Sequence, residues 1–148
     1  MIHLDDILRE HPDLAPLVAA AQAVRANAYA PYSGFAVGSA LRGISGKIYV
    51  GVNVENASYP VGVCAERSAV SQAIGLGERE FDEIVVVTDA AHAAAPCGFC
   101  RQCLAEFGLD LQVTAIGKGG IARRTTLRDL LPQAFTPDSF EPMPGRKG

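Results

Sequence analysis

Two short stretches, Cys64-Ala65-Glu66-Arg67 and Pro96-Cys97-Gly98-Phe99-Cys100, are the most informative part of this 148-residue chain. They supply three thiols and one carboxylate at a spacing typical of a zinc site. Three cysteine ligands leave one position of a tetrahedral Zn²⁺ open for water, whereas structural sites fill all four positions with protein ligands. Glu66 follows the first thiol by two residues and can carry a proton beside that water. The pattern predicts a zinc site that performs chemistry.

Other interpretations of the same cysteines stay open at this point. A Cys-x-x-Cys pair can also be a redox pair or half of a structural zinc site, and Cys103 offers a fourth thiol for a closed site. However, Cys97, Cys100 and Cys103 are spaced by three, so all three can hardly converge on one metal from a continuous helix. We therefore expect Cys103 to be a small buried hydrophobic residue. Glu66 taken alone could be an ordinary acid of a first helical turn.

Both cysteine stretches lie where a strand or loop passes into a predicted helix. Helix N-termini expose unpaired N–H groups and carry partial positive charge, so they stabilise thiolates. Three thiolates around one Zn²⁺ still leave a net negative charge, which would weaken the acidifying effect of the metal on water. Arg67 and Arg101 follow Glu66 and Cys100 directly, and we expect them to support the zinc ligands by donating hydrogen bonds to the sulfurs.

Outward from these stretches, hydrophobic periodicity and turn residues predict alternating helices and strands. The predicted helices cover 17–28, 64–74, 97–107 and 126–131, and the predicted strands cover 35–41, 47–54, 84–87 and 111–116. The wholly apolar run 84–87 is typical of a strand buried on both faces. This order predicts an α/β fold, a three-layer α/β/α sandwich around a mixed sheet of about five strands. We expect a single catalytic domain over 1–135 and a flexible tail over 136–148.

Composition narrows the classes of function. Hydrophobic residues make up 49% and charged residues 20% of the chain, as in ordinary globular domains. The formal net charge of −3 argues against a nucleic acid partner, and we interpret Arg123-Arg124 as a solvated turn. No apolar run reaches the roughly 18 residues that a membrane helix needs, and the first residues lack a signal-peptide pattern. We expect a cytoplasmic protein without a membrane partner.

Five stretches together resemble the small, homotetrameric, three-cysteine type of cytidine deaminase. They are Ala30–Gly38 (APYSGFAVG), Asn53–Tyr59 (NVENASY), Cys64–Arg67 (CAER), Pro96–Gln102 (PCGFCRQ) and Leu130–Phe135 (LLPQAF). They run in the family's order across most of the chain, and jointly they are highly specific. Two positions depart from the usual pattern: Pro60 stands where glycine is more frequent, and Cys103 stands where an aliphatic residue is more frequent. Pro60 removes an N–H and restricts the loop beside Tyr59.

The resemblance implies a zinc-dependent hydrolytic deamination of cytidine, and of deoxycytidine, in pyrimidine salvage. One Zn²⁺ per subunit would be bound by Cys64, Cys97 and Cys100. Glu66 would move the proton from the attacking water to the pyrimidine and the leaving amino group. The remaining implied roles concern the substrate: the backbone N–H of Ala65 would hold the pyrimidine O2, Phe35 would stack near the base, and Asn53 and Glu55 would bind the ribose hydroxyl.

The resemblance also implies a homotetramer in which Tyr59 and Phe135 reach the site of a neighbouring subunit. Two alternatives are a deaminase of a modified or antibiotic aminopyrimidine nucleoside and a non-catalytic four-thiol zinc-binding module. The pair Asn53 and Glu55 favours an ordinary sugar over the first. A carboxylate beside the sugar disfavours a substrate that carries phosphate, because like charges would approach each other. An enzyme that edits polynucleotides is the weakest interpretation, given the acidic balance of the chain.

Overall fold

The computed structural model describes residues 2–140, which place helices on both faces of one mixed β-sheet. In sheet order the strands are β1 (Ile2–His3), β6 (Ile121–Thr126), β5 (Gln112–Ile116), β4 (Phe81–Val87), β2 (Gly38–Gly43) and β3 (Ile48–Val52). Within this described sheet β4 and β5 are parallel, and the other neighbours are antiparallel. The predicted three-layer α/β/α sandwich is confirmed. The described sheet has six strands where about five were predicted, and the two strands that the sequence pattern did not locate are β1 and β6.

Two buried clusters of hydrophobic side chains lie on opposite faces of the sheet. On one face, α1 (Leu4–Glu10) and α2 (Ala15–Arg25) pack against the sheet. On the other, α3 (Ala65–Gly75), α4 (Gly98–Ala105) and α5 (Leu127–Leu130) do so. Strand β4 serves both clusters, since Val85 and Val87 belong to the first and Ile84 and Val86 to the second. The wholly apolar run at this strand thus reflects burial on both faces.

Close contact between α3 and the sheet is possible because of small residues at β2 and β3. A Cβ atom at Gly51 would overlap the backbone of Ala65 and Ala69, so only glycine allows the helix to lie this near β3. The buried hydroxyl of Ser39, on β2, donates a hydrogen bond to the carbonyl of Ala65 at 2.8 Å. The first turn of α3, which carries Glu66, is therefore held directly against two strands.

The interpretation of Arg123-Arg124 as a solvated turn is wrong. Both residues belong to β6, and the Arg124 guanidinium donates to the carboxylate of Glu83 at 3.2 and 2.8 Å. Glu83 is 1% exposed and also accepts from the Thr114 hydroxyl at 2.9 Å. This buried ion pair explains how a charged residue fits into β4, since each of its oxygens has a donor.

Element boundaries differ from the predictions by a few residues at most strand ends. The first hairpin strand begins at Gly38 instead of residue 35, because the Asn53 side chain takes up the Val37 N–H and the Phe35 carbonyl that regular strand pairing would use. The predicted cap of the last helix is present, since Thr126 accepts from the Asp129 N–H at 3.2 Å.

Beyond the last helix, Pro137–Ser139 form a single 3₁₀ turn, and residues 141–148 of the predicted tail lie outside the described residues. Within the described part of the chain, no helix has the length and apolar character needed to cross a membrane.

Candidate active site

Three cysteine thiols meet between the N-termini of α3 and α4. Cys64 and Cys97 are the N-cap residues of the two helices, and Cys100 lies in the first turn of α4. The Sγ–Sγ distances are 3.8 Å between Cys64 and Cys97 and 3.7 Å between Cys97 and Cys100, and all three sulfurs lie within 4.8 Å of one another. Tetrahedral zinc with Zn–S bonds of about 2.3 Å requires sulfurs about 3.8 Å apart, so the three thiols fit Zn²⁺.

The fourth cysteine lies outside this group. Cys103 is half-buried beside the hydrophobic cluster under α4, and burial raises the pKa of its thiol. The metal-ligand cluster found among residues 2–140 contains only Cys64, Cys97 and Cys100. This arrangement agrees with the expectation that Cys103 is a packing residue, and a three-thiol site leaves a tetrahedral position for a non-protein ligand.

The electrostatic environment favours an anionic thiol at Cys64. A hydrogen bond with Cys100 lowers the pKa of Cys64 to about 6, and the positive charge of Arg67 acts in the same direction. The pKa of Cys100 is raised by the same pair and by burial. Thiols bind a metal as thiolates, so a cation bound here would displace their protons.

Glu66 lies beside the thiols as the second residue of α3. It is 5% exposed, and burial raises the pKa of its carboxyl group above the ordinary value. A carboxyl group with a raised pKa exchanges a proton more readily near neutral pH, which suits a general acid and base. An ordinary acid of a first helical turn would be expected at the surface. The burial of Glu66 beside three thiols therefore favours the catalytic interpretation.

A cavity of about 430 Å³ opens over the thiols and Glu66. This volume lies within the range of pockets that bind small ligands. The cavity joins most of the residues predicted to bind substrate, namely Phe35, Asn53, Glu55, Tyr59 and Ala65, to Cys64, Cys97 and Glu66. Phe135 and Cys100 are not among its lining residues, and Cys100 is fully buried behind it.

Polar contacts hold the two residues predicted to bind sugar. The Asn53 side chain accepts from the Val37 N–H and donates to the Phe35 carbonyl, both at 2.8 Å. The Glu55 carboxylate accepts hydrogen bonds from Tyr32 and Ser33. Ser33 also lines the cavity and was not among the predicted site residues. The sequence signal for Ser33 was its place in the turn Pro31-Tyr32-Ser33-Gly34, because serine hydroxyls in turns form hydrogen bonds with nearby backbone groups.

The arginines predicted to support the sulfurs make other contacts. Arg101 donates to the carbonyl of Pro96 at 2.7 Å and to that of Leu130 at 2.8 Å. It therefore ties the loop before Cys97 to the end of α5 and supports the ligands through the backbone. Across residues 2–140, no hydrogen bond joins Arg67 or Arg101 to a cysteine sulfur, and Arg67 acts on Cys64 only through its charge.

Tyr59 and Phe135 are both largely exposed, at 76% and 57%. Tyr59 lies at the rim of the cavity and contacts the ring of Tyr32 edge to face, with centroids 5.8 Å apart. Phe135 contacts Phe140 in the same way at 5.0 Å, and Gln102 donates to the Phe135 carbonyl at 2.7 Å. Both aromatic rings thus remain largely uncovered by the rest of the described chain.

Comparison with known sequences gives one consistent result. A family model of the cytidine and deoxycytidylate deaminase zinc-binding region matches residues 13–116. The cytidine deaminase of Sporosarcina psychrophila is 42% identical over 131 residues, which cover 86% of this chain and 95% of that protein. The cytidine deaminase of Halalkalibacterium halodurans is 41% identical over 129 residues, which cover 86% and 98% of the two chains.

Solved structures agree with the sequence comparison. The cytidine deaminase from Burkholderia pseudomallei superimposes with a TM-score of 0.79 at 47% identity, covering 81% of this chain and 97% of the other. The cytidine deaminase from Mycobacterium leprae superimposes with a TM-score of 0.70 at 41% identity, covering 80% and 96%.

Proposed function

The chain belongs to the cytidine and deoxycytidylate deaminase family, and on that premise we propose that it hydrolyses cytidine, and also deoxycytidine, to uridine or deoxyuridine and ammonia. The observation that carries this proposal is a cluster of three thiols, two of which line a ligand-sized cavity together with the buried Glu66. Zinc is the cofactor, with one ion per subunit bound by Cys64, Cys97 and Cys100. Bound there, it supplies Lewis-acid activation of the water that attacks the pyrimidine.

Glu66 moves the protons of the reaction. Its carboxylate accepts a proton from the attacking water and delivers a proton to ring N3. The water oxygen bonds to C4, and Glu66 then takes the proton of the resulting C4 hydroxyl and delivers it to the amino group. As the C4–N bond breaks, the C4=O bond forms and ammonia leaves. Burial keeps bulk water away from Glu66 and raises its pKa, so both protonation states are accessible during one turnover.

The remaining cavity residues orient the nucleoside. Ala65 is the first residue of α3, and its N–H is one of the unpaired donors of a helix N-terminus, available to the pyrimidine O2. Phe35 is 42% exposed at the cavity wall and offers an aromatic face to the base. Asn53 and Glu55 lie on the same wall and bind a sugar hydroxyl.

The charge of Glu55 favours nucleosides over nucleotides. Its side chain accepts a hydrogen bond from Ser33, which is the main cause of the lowered pKa of this carboxyl group. It is therefore ionised at neutral pH, and a substrate phosphate near it would meet a like charge. Cytidine monophosphate should consequently be a poor substrate.

The active unit that we propose is a homotetramer in the cytoplasm, serving pyrimidine salvage. Tyr59 and Phe135 support the oligomer, since both are exposed aromatic side chains and Phe135 does not line the cavity of its own subunit. Aromatic residues are enriched at protein interfaces. In this assembly the two rings would complete the sites of neighbouring subunits.

Neither alternative function gains support from the geometry. A four-thiol zinc module requires Cys103 among the ligands, and Cys103 lies outside the cluster formed within residues 2–140. A deaminase of a modified nucleoside has no need for a carboxylate held at the sugar position, yet Glu55 is held there by three hydrogen bonds.

An ultraviolet assay of the purified, zinc-analysed protein against cytidine, deoxycytidine, cytidine monophosphate, cytosine and adenosine tests the function. We expect turnover of the first two and little or none of the others, because the sugar contacts orient the base for reaction. Equal efficiency on cytosine and cytidine would remove the sugar role of Asn53 and Glu55, and absence of turnover with zinc bound would refute the enzymatic function.

A further inference from the structure

The hydrogen bonds of Glu55 leave little of its carboxylate free. Oε2 accepts the N–H of Tyr32 at 2.8 Å and the N–H of Ser33 at 3.2 Å. Oε1 accepts the hydroxyl of Ser33. An ionised carboxylate offers about two acceptor positions on each oxygen. Three of the four positions are filled, so Oε1 keeps one position for a ligand in the cavity that Glu55 lines.

The Ser33 hydroxyl has a second contact, to the residue that faces the base. Its oxygen accepts the N–H of Phe35 at 3.0 Å while its hydrogen is donated to Glu55. Phe35 is held independently as well, because the Asn53 side chain bonds to the Phe35 carbonyl and the Val37 N–H. Loss of the Ser33 hydroxyl would therefore release the Oε1 side of Glu55 while two bonds still fix the Phe35 loop.

We propose that Ser33 is a positioning residue for substrate binding: its hydroxyl holds the Glu55 carboxylate so that the free position of Oε1 meets a sugar hydroxyl. This inference rests on the proposed role of Glu55 in sugar binding. The two backbone donors on Oε2 alone would still allow the carboxylate plane to rotate. The Ser33 hydroxyl donates to Oε1 and so prevents this rotation. Oε1 is also the oxygen that keeps a free acceptor position for the substrate.

The first test compares the Ser33→Ala enzyme on cytidine and on 2′,3′-dideoxycytidine, which lacks the sugar hydroxyls that Glu55 could bind. For cytidine we expect KM to rise roughly tenfold, the size of one hydrogen bond to a charged group, with kcat within about twofold of wild type. For the dideoxynucleoside we expect KM to change less than about twofold. Ser33→Thr, which keeps the hydroxyl, should restore the KM for cytidine.

The chain offers a matched control in the β2–β3 hairpin. The Ser45 hydroxyl donates to Glu78 and accepts the Lys47 N–H at 3.4 Å, the same arrangement as at Ser33, but these residues do not line the cavity. Ser45→Ala should leave both KM values unchanged. Zinc content measured on each variant shows whether the fold is retained, and Ser33→Gly is a second variant without the hydroxyl.

The outcomes separate this proposal from the function on which it rests. Glu55→Ala, measured on the same two nucleosides, should weaken cytidine binding selectively if Glu55 binds the sugar. Suppose that Glu55→Ala weakens the binding of cytidine but not of the dideoxynucleoside. If Ser33→Ala then weakens the binding of both nucleosides equally, or of neither, the positioning role of Ser33 is refuted. If Glu55→Ala itself is not selective, the sugar role of Glu55 fails and the inference about Ser33 fails with it.

Discussion

Two carboxylates line the cavity, and their surroundings give them different properties. Burial raises the pKa of Glu66, whereas the Ser33 hydrogen bond lowers the pKa of Glu55. A group with a raised pKa can exchange protons near neutral pH, while a group with a lowered pKa stays charged and serves as a fixed acceptor. At the scale of single residues, these two environments support the proposed roles of Glu66 in proton transfer and of Glu55 in binding.

The proton role of Glu66 predicts the behaviour of Glu66→Gln. Glutamine keeps the size of the side chain and leaves all three thiols in place, so zinc should be retained. Turnover should fall by at least ~100-fold, the usual effect of losing a positioned acid and base. Metal analysis together with steady-state kinetics on cytidine measures both quantities.

Glu106→Gln is the control for this variant, because Glu106 is an exposed acid at the end of α4 that does not line the cavity. It should turn over cytidine like the wild-type enzyme. Near-normal activity of Glu66→Gln with zinc bound would contradict the assignment of the proton role.

At the scale of elements, the site depends on where two helices begin. Cys64 and Cys97 cap α3 and α4, and Gly51 together with the Ser39 hydroxyl fixes the first turn of α3 on the sheet. On the opposite face, the ion pair of Glu83 and Arg124 connects β4 to β6 across β5. The strands under the site are thus joined by side chains as well as by backbone hydrogen bonds.

The neighbouring arginines of β6 provide a test of this ion pair. Arg124→Met leaves the carboxylate of Glu83 buried and deprived of its main partner, so we expect the free energy of unfolding to fall by about 3 kcal/mol. Arg123→Met, on the same strand but with an exposed side chain, should change it by less than about 0.5 kcal/mol. Urea denaturation at one protein concentration measures both variants. If both substitutions lower the free energy of unfolding equally, the Glu83–Arg124 ion pair does not contribute more to stability than an exposed arginine.

At the scale of the whole molecule, exposed aromatic rings remain at the rim of the cavity and in the segment that follows α5. Tyr59 and Phe135 expose more than half of their surface in the single chain. Aromatic side chains are enriched at interfaces between proteins relative to the rest of the surface. The proposed tetramer would bury these rings and place them at neighbouring cavities.

Phe135→Ala tests the contribution of one subunit to the site of another. We expect the KM for cytidine to rise roughly tenfold, a typical effect of removing an aromatic contact, while zinc content stays the same. Ile44→Ala is the control, since Ile44 is similarly exposed at 62% but lies in the β2–β3 hairpin turn. Sedimentation of the wild-type enzyme at the assay concentration should show a tetramer. A fully active monomer would end the proposed role of Phe135.

Sequence patterns were sufficient to predict the layered fold and the ligand chemistry of the metal site. The apolar run of β4 and the alternation of helices with strands are local patterns, and local patterns report burial directly. The pattern Cys64-x-Glu66 with Cys97-x-x-Cys100 predicted a three-thiol site, and the helical spacing of Cys103 argued against a fourth ligand. In the structure these sulfurs lie within 4.8 Å of one another, and Glu66 lies beside them.

The partners of the polar side chains, in contrast, could be identified only in the folded chain. Arg124 reads as a turn residue until β6 pairs with β5 and brings it to Glu83, 41 positions away in sequence. Ser33 gains its contact with Glu55 in the same way, across 22 positions, and Arg101 bonds to carbonyls where its position next to Cys100 suggested sulfur. Hydrophobic burial is non-directional and leaves a periodic trace in the sequence, whereas a hydrogen bond depends on two groups that meet only after the chain has folded.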